Sequence, residues 1–386
     1  MTNYTPTPLP PTQPRMSAIK IIAAIIAALF AALLGLFVLL LIGAETGLVQ
    51  LMIGMVCAIL PVPIYVMLLL WIDRYESEPL WMLATAFFWG ALVAVFIALL
   101  FNTGVEIIAA IATRSKEVAS NVGAVISAPI VEESAKALIL VIFFFWKKDE
   151  FDGIVDGIVY AGMAGLGFAM TENILYYGRA IQQGPQALTV VLILRGIGAP
   201  FSHPLFTSMT GIGLGWSRQS RNTFVKFAMP ILGFMLAVLM HATWNGSAAF
   251  GGGVGFFVTY FMVMGPAFIV ILMVIHFSLR REGRIVQQFL YPDYETGFFD
   301  RREYERLCTI RGRMGMSWHA LWSQGFSGWR LRMRCNQMAS ELAFHRSRVA
   351  RGIGRDPQIA QAREASYRSN LEQLRQQIAR RQPGVR

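Results

Sequence analysis

Eight apolar runs, separated by short polar stretches, occupy most of the chain between residues 21 and 279. They are Ile21–Gly43, Leu48–Ile72, Leu80–Phe101, Val122–Trp146, Gly153–Gly178, Gln186–Gly215, Phe227–Phe250 and Val254–Leu279. Crossing the hydrocarbon layer takes about 20 helical residues, and each run reaches that length. Lipid offers no hydrogen-bond partner to a backbone, so each run is predicted to be a helix. The expected fold is an all-α polytopic membrane protein with about eight transmembrane helices and a basic, partly helical tail. The first run is longer than the roughly 7–15-residue apolar core of a signal peptide, so it is read as a retained span. Three regions are predicted. Residues 1–17 form a disordered leader carrying Pro6, Pro8, Pro10, Pro11 and Pro14. Residues 18–280 form the multi-span domain, and residues 281–386 form an arginine-rich cytoplasmic tail.

Composition agrees with this pattern: 55% of the 386 residues are hydrophobic and 15% charged, which belongs to membrane proteins rather than soluble domains. Charge adds an orientation. From Arg280 onward the chain has 21 Arg, no Lys and a net charge of +11, while the remainder is neutral. Basic residues mark the cytoplasmic side. With the N-terminus inside, the inner segments hold Arg15, Lys20, Arg74, Lys147, Lys148, Arg218, Arg221 and Lys226, against Arg114, Lys116 and Arg179 outside. Both termini are therefore expected in the cytoplasm, in a multi-pass protein of a bacterial plasma membrane. The tail is expected to bind anionic lipid. Arginine richness alone is no nucleic-acid motif, so nucleic acid is not an expected partner. Within the tail, Asp356-Pro357 predicts a helix start, and Asp300–Gly312 is a second helix candidate. The irregularly spaced Cys57, Cys308 and Cys335 read as free thiols. The loop Asp73–Pro79 reads as a solvated turn closed by proline. Gly153, Gly157, Gly162, Gly165, Gly167, Gly211 and Gly215 read as close helix–helix contacts.

Against this background, ionisable residues inside the runs stand out. Glu132 and Glu133 lie in the fourth run, where a charged side chain costs roughly 2.5–3.5 kcal/mol or more. Lys136 shares a helix face with Glu132, and Glu133 points about 100° away. One carboxylate can thus face a site while the other orients a neighbour. Glu172-Asn173, His203 with Pro204 (expected to kink its helix), and the pair His241 and Asn245 occupy the next three runs. The charge-derived orientation puts all of them between the middle and the outer half of the bilayer, which permits one shared site. Glu132, Glu133, Glu172, His203, His241 and Asn245 are the candidate catalytic residues, with Lys136 and Asn173 in support. A buried Glu–Lys pair that only fixes packing remains open for the fourth run taken alone. Three glutamates and two histidines at one depth favour a water-containing catalytic or ion-conducting cavity.

At these residues the chain resembles the PrsW family of intramembrane proteases, within the wider Abi superfamily that includes type II CAAX prenyl proteases. The resemblance rests on Glu132-Glu133-Ser134-Ala135-Lys136, Phe168-Ala169-Met170-Thr171-Glu172-Asn173, His203, and His241-Ala242-Thr243-Trp244-Asn245. The Asp73–Pro79 loop and Asp152–Gly157 are similar to family features as well. It covers roughly Leu48–Leu279 and favours the PrsW branch, since CAAX proteases usually carry His where Glu172 stands. It implies peptide hydrolysis in a single-pass membrane protein, with an anti-sigma factor cut on its extracytoplasmic side as the family's association. Glu132 or Glu133 would activate water. Asn245, helped by His241, would stabilise the oxyanion, such donors being worth ~2.7–4 kcal/mol each. His203 and Glu172 would complete the network. If a metal is present, zinc on His203, His241 and Glu172 is the expected set; the sequence has no His-Glu-x-x-His pair to decide it, and the resemblance to CAAX proteases, whose glutamate-and-water mechanism needs no metal, slightly favours the metal-free version. Two other functions stay open. One is a proton- or cation-coupled transporter with Glu132, Glu172 and Lys136 as relay, though no inverted repeat is visible. The other is a non-catalytic scaffold of the same superfamily.

Overall fold

The computed structural model describes residues 18–352 and 356–381; the proline-rich leader falls outside them. Every regular element among them is helical. Eight helices correspond one to one with the eight apolar runs: α1 (Ala18–Thr46), α2 (Leu48–Ile72), α3 (Leu80–Thr113), α4 (116–146), α5 (Ile154–Gln183), α6 (Pro185–Gln219), α7 (Thr223–Phe250) and α8 (Gly252–Glu295). Seven of these are long and apolar enough to cross a membrane. The remaining one, α4, differs in carrying Glu132, Glu133 and Lys136 together. The helices run past the predicted ends because their polar ends continue the same backbone hydrogen bonding. Local chemistry sets the starts. Ser115 Oγ accepts from Val118 N at 3.3 Å to open α4, and Asn222 Oδ1 accepts from Phe224 N at 2.9 Å to open α7.

The chain divides into two compact units, Ala28–Ser278 and one drawn mainly from Leu279–Arg386. In the first, α5 is the axis, buried along most of its length. Glycine lets its neighbours approach: a Cβ on Gly157 would lie 2.1 Å from the Gly211 carbonyl oxygen of α6. A Cβ on Gly165 would lie 2.7 Å from Pro204 N and 2.8 Å from His203 C. The glycine-rich stretches are thus helix contacts, as small residues in membrane helices generally are.

Four π-helical turns interrupt the bundle, at Trp89–Ala94, Gly123–Ser127, Leu192–Gly198 and Tyr260–Met264. A π turn loosens backbone carbonyls, and side chains of neighbouring helices take them up. Thr171 Oγ1 donates to Ala91 O at 2.8 Å, Asn245 Nδ2 to Ala124 O at 2.8 Å, and Tyr260 Oη to Gly198 O at 2.6 Å. The Tyr65 hydroxyl donates to Gly196 O. Helix α6 breaks outright after its π turn: Ala199 has φ −129° and ψ 43°, and the helix resumes at Ser202. Pro204 therefore does not kink a continuous helix. It sits in the first turn of a new one, where its missing N–H costs nothing.

The second unit is more helical than its sequence suggested. It contains α9 (Arg301–Leu307), α10 (Ile310–Ala350) and α11 (Pro357–Arg380). Asp356 caps α11 by accepting from Gln358 N at 2.9 Å, as predicted. Gly325, with φ 70°, breaks α10 internally. Several arginines are internal: Arg332 and Arg375 hold Glu303 at 3.1 and 2.7 Å, and Arg346 pairs with Asp293 and, at 2.8 Å, with Glu364. Cys57, Cys308 and Cys335 form no disulfide with one another.

Candidate active site

Four consecutive helices bring the sequence-predicted ionisable residues into one network. On α4, Glu133 is fully buried and accepts three hydrogen bonds. Lys136 Nζ reaches Oε1 at 2.8 Å, Thr207 Oγ1 of α6 reaches Oε2 at 2.8 Å, and His241 Nδ1 of α7 reaches Oε1 at 3.0 Å. Lys136 Nζ also lies 3.0 Å from His203 Nδ1, and His203 Nε2 lies 2.9 Å from Glu172 Oε2 of α5. An ammonium can only donate, so His203 accepts at Nδ1 and its Nε2–H donates to Glu172. Arg195, in the π turn of α6, closes the far end by pairing with Glu172 and donating to Asn173 Oδ1 at 2.6 Å. The network runs Arg195, Glu172, His203, Lys136, Glu133, His241 without a gap. It grades from the fully buried Glu133 to Glu172, whose side chain is 21% exposed.

Glu132 stands apart from this satisfied chain. Its Oε2 is buried and has no hydrogen-bond partner. That oxygen faces Lys136 Nζ at 3.6 Å and His241 Nε2 at 3.8 Å. In a neutral His241 ring, donation from Nδ1 to Glu133 leaves the lone pair on Nε2. A carboxylate oxygen and an imidazole lone pair aimed at the same space form an acceptor pair suited to a water or a cation.

Apolar side chains fix the orientation. Phe206 stacks on the His241 ring with centroids 5.1 Å apart, the His203 and His241 rings meet edge-on at 5.1 Å, and Lys136 Nζ lies 4.1 Å over the Phe168 ring. Trp89 Nε1 donates to Ala135 O at 2.8 Å, pinning α4.

Glu132, His203 and His241 each offer a ligand atom within 4.8 Å of the others, which fits a metal ion. Glutamate and histidine suit zinc, and the unpartnered Glu132 Oε2 suits it too. The carboxylates behind His241 and His203, Glu133 and Glu172, match the second shell that orients ligating histidines. The sequence-derived set had Glu172 in place of Glu132. The structure joins Glu172 to Arg195 and uses it to hold His203.

Asn245, expected at the oxyanion, donates one amide hydrogen to the Ala124 carbonyl of a π turn and keeps a second. Two contributors went unassigned in the sequence. Thr207 lies four residues after His203, so helical periodicity on that face pointed to it. Arg195 was visible as a lone intramembrane arginine, a functional signal by itself.

A second buried polar cluster lies at the other end of α5. The Asp73–Pro79 loop is not a solvated turn: Asp73, Tyr75 and Glu78 are buried. Glu78 N donates to Asp73 Oδ2 at 2.7 Å, and the Tyr160 hydroxyl donates to Glu78. Asp156 accepts from Asp152 N at 2.8 Å and Gly153 N at 2.6 Å. Burial pushes the Asp73 and Glu78 carboxyls well above the usual carboxylate range. For Asp73 the Glu78 N–H pulls the other way and Asp156 adds to the rise; for Glu78, Asp156 and Asp73 both add to it. The loop looked solvated because four of its seven residues are charged, and its burial depends on Tyr160 from a distant helix.

A family model described as "PrsW family intramembrane metalloprotease" matches residues 78–273, which include every residue of the network. The chain is similar to proteins named "Protease PrsW". It is 32% identical to the one from Geobacillus kaustophilus over 166 residues, 42% of this chain and 67% of that one. It is 31% identical to the one from Oceanobacillus iheyensis over 169 residues, 44% and 71%. It is 29% identical to the one from Bacillus subtilis over 180 residues, 45% and 72%. No solved structure matches. These relatives support a peptidase of the membrane interior, in a bacterial multi-pass protein. With its polar network inside the matched region, the chain belongs to the PrsW family of intramembrane proteases.

Proposed function

We propose that the chain hydrolyses a peptide bond of a single-pass membrane protein, near the outer face of the membrane, with Glu132 as the base that activates water. The single observation that carries this is the buried Glu132 Oε2 without a hydrogen-bond partner, 3.8 Å from His241 Nε2. A general base must reach the proton that it takes. Glu133, held by three donors, orients instead. His241 Nε2 shares the water with Glu132, and Glu133 fixes the His241 tautomer. With Asn245 on Ala124, Lys136 becomes the cation that meets the negative charge of the tetrahedral intermediate. His203, backed by Glu172, positions Lys136. The outward placement rests on the basic residues, eight inside against three outside before the tail is counted. An anti-sigma factor is the substrate class suggested by the family resemblance.

Where zinc binds, Glu132, His203 and His241 would hold it, and it would polarise the substrate carbonyl and a bound water. Lys136 occupies His203 Nδ1, which favours the metal-free version. Activity of the purified enzyme is expected to survive exhaustive chelation; loss on chelation with recovery on zinc alone would transfer the chemistry to the metal.

The tail is proposed to meet anionic lipid. Trp318, Trp322 and Phe326 are exposed on α10, and aromatic side chains among arginines suit a headgroup layer.

The test of proteolysis is a tagged single-pass reporter co-expressed with the enzyme. Glu132→Ala, Glu133→Ala and His241→Ala should each abolish cleavage with protein still in the membrane, and full activity in all three would refute the proposal.

A further inference from the structure

The break in α6 leaves non-helical backbone at Ala199–Pro200–Phe201 within a span. At membrane depth, such backbone is tolerated only where protein covers it or it lines a cavity. Here it lines one. A cavity of about 380 Å³ lies against the break, walled by Tyr65, Phe201, Phe206, Trp244, Tyr260 and Phe268. The rings brace one another: Tyr65 and Phe201 meet at 5.0 Å, Phe201 and Phe268 at 6.3 Å, and Trp244 and Tyr260 at 6.2 Å.

Three features tie this cavity to the network. Phe206 belongs to both, forming cavity wall while stacking on His241. Ser202, also in the wall, immediately precedes His203. Trp244 follows His241 by almost one helical turn on α7. The hydroxyls of Tyr65 and Tyr260 are committed, donating to the carbonyls of Gly196 and Gly198. An occupant therefore meets mainly aromatic faces. The volume sits at the small end of the roughly 300–1,000 Å³ typical of ligand sites, which suits one or two large side chains and excludes a helix.

We propose that this cavity receives a large apolar side chain of the substrate, Phe, Tyr, Trp, Leu or Met, next to the scissile bond. The inference rests on the proteolytic reading above. The occupant is an extended substrate segment, because a cut bond must reach Glu132 and a helical segment hides its carbonyls. Seating one side chain against Phe206 places the neighbouring peptide bond beside His241 and Glu132. Such positioning is how binding of a remote group accelerates a reaction.

The test uses full-length enzyme in lipid bilayers and a library of tagged single-pass reporters with a randomised juxtamembrane segment, cut sites being read by mass spectrometry. Large apolar residues should be enriched at least tenfold over Ala at one position flanking the cut. Gly265→Leu should fill the cavity, since a Cβ there meets only the Tyr260 carbonyl, at 3.5 Å. It should lower the large-to-small preference at that position at least tenfold. Trp244→Ala should shift the preference toward Trp. An absence of enrichment, or a profile unchanged in both variants, would overturn the pocket while Glu132→Gln still abolished all cleavage. No cleavage of any reporter by the wild-type enzyme would instead overturn the proteolytic reading itself, and the pocket with it.

Discussion

Glu172 and Tyr160 stand twelve residues apart on α5, about 18 Å along a helix, and each joins a buried polar cluster of opposite character. Around Glu172 the carboxylates alternate with Arg195, Lys136 and two histidines. Around Tyr160 the groups are Asp73, Glu78 and Asp156, with a phenol and backbone N–H groups as donors. Burial alone therefore does not mark a catalytic site. In the acidic cluster burial favours the protonated forms of Asp73 and Glu78, and hydrogen bonds from Tyr160 and backbone N–H groups lock a loop to a helix. The mixed cluster balances charge with charge, and it leaves one carboxylate oxygen, on Glu132, without a hydrogen bond and turned toward His241 Nε2.

The largest expected effect breaks the two clusters differently. Glu133→Gln should cost about 3 kcal/mol or more, because it strips a buried ammonium of its closest partner. Thermal unfolding in bilayers or detergent reads this, and a loss below about 1 kcal/mol would show that Glu133 does not anchor Lys136. Next, Gly165→Ala forces a methyl into the backbone at His203 and Pro204. Misplacement by about 1 Å can cost on the order of a hundredfold in rate, so reporter cleavage should fall roughly that far. Gly104→Ala, with open space around it, should change little. Thr207→Val removes one hydrogen bond to Glu133, about 1 kcal/mol; a several-fold drop in cleavage with His241 and Glu132 intact is expected.

The smallest effect belongs to the acidic cluster. A carboxyl whose folded pKa is raised gives stability that is present at low pH and lost as pH rises through the raised value. Unfolding temperature should therefore fall as pH rises above the ordinary carboxylate range. Asp73→Asn keeps an acceptor for Glu78 N and removes the titration, so it should flatten that fall and match or exceed the wild type near pH 8.5. A clear loss of stability in Asp73→Asn at that pH would show that the carboxylate is held ionised.

Much of this was legible in the chain. Eight apolar runs predicted eight helices because lipid leaves the backbone no alternative. The cost of burying Glu132, Glu133, Glu172, His203 and His241 identified them before any geometry. Hydropathy could not show which side chain meets which. Asn245 shares a face with His241, yet its amide serves a carbonyl freed by a π turn, and such turns leave no mark in hydropathy. Likewise, Glu132 and Glu133 are chemically identical in sequence, and only the three donors converging on Glu133 separate them. The break at Ala199–Phe201 sits beside Pro200 and Pro204, but which proline ends a helix and which begins one depends on packing against Tyr65 and Tyr260.

The central claim is that Glu132 is the base and Glu133 its support, and single-turnover cleavage of a bilayer-embedded reporter by Glu132→Gln tests it most directly. No cleavage is expected, from a protein that unfolds within a few degrees of the wild type, since Gln preserves the packing and removes the proton acceptor. Cleavage within tenfold of the wild-type rate would contradict it and return the role to Glu133.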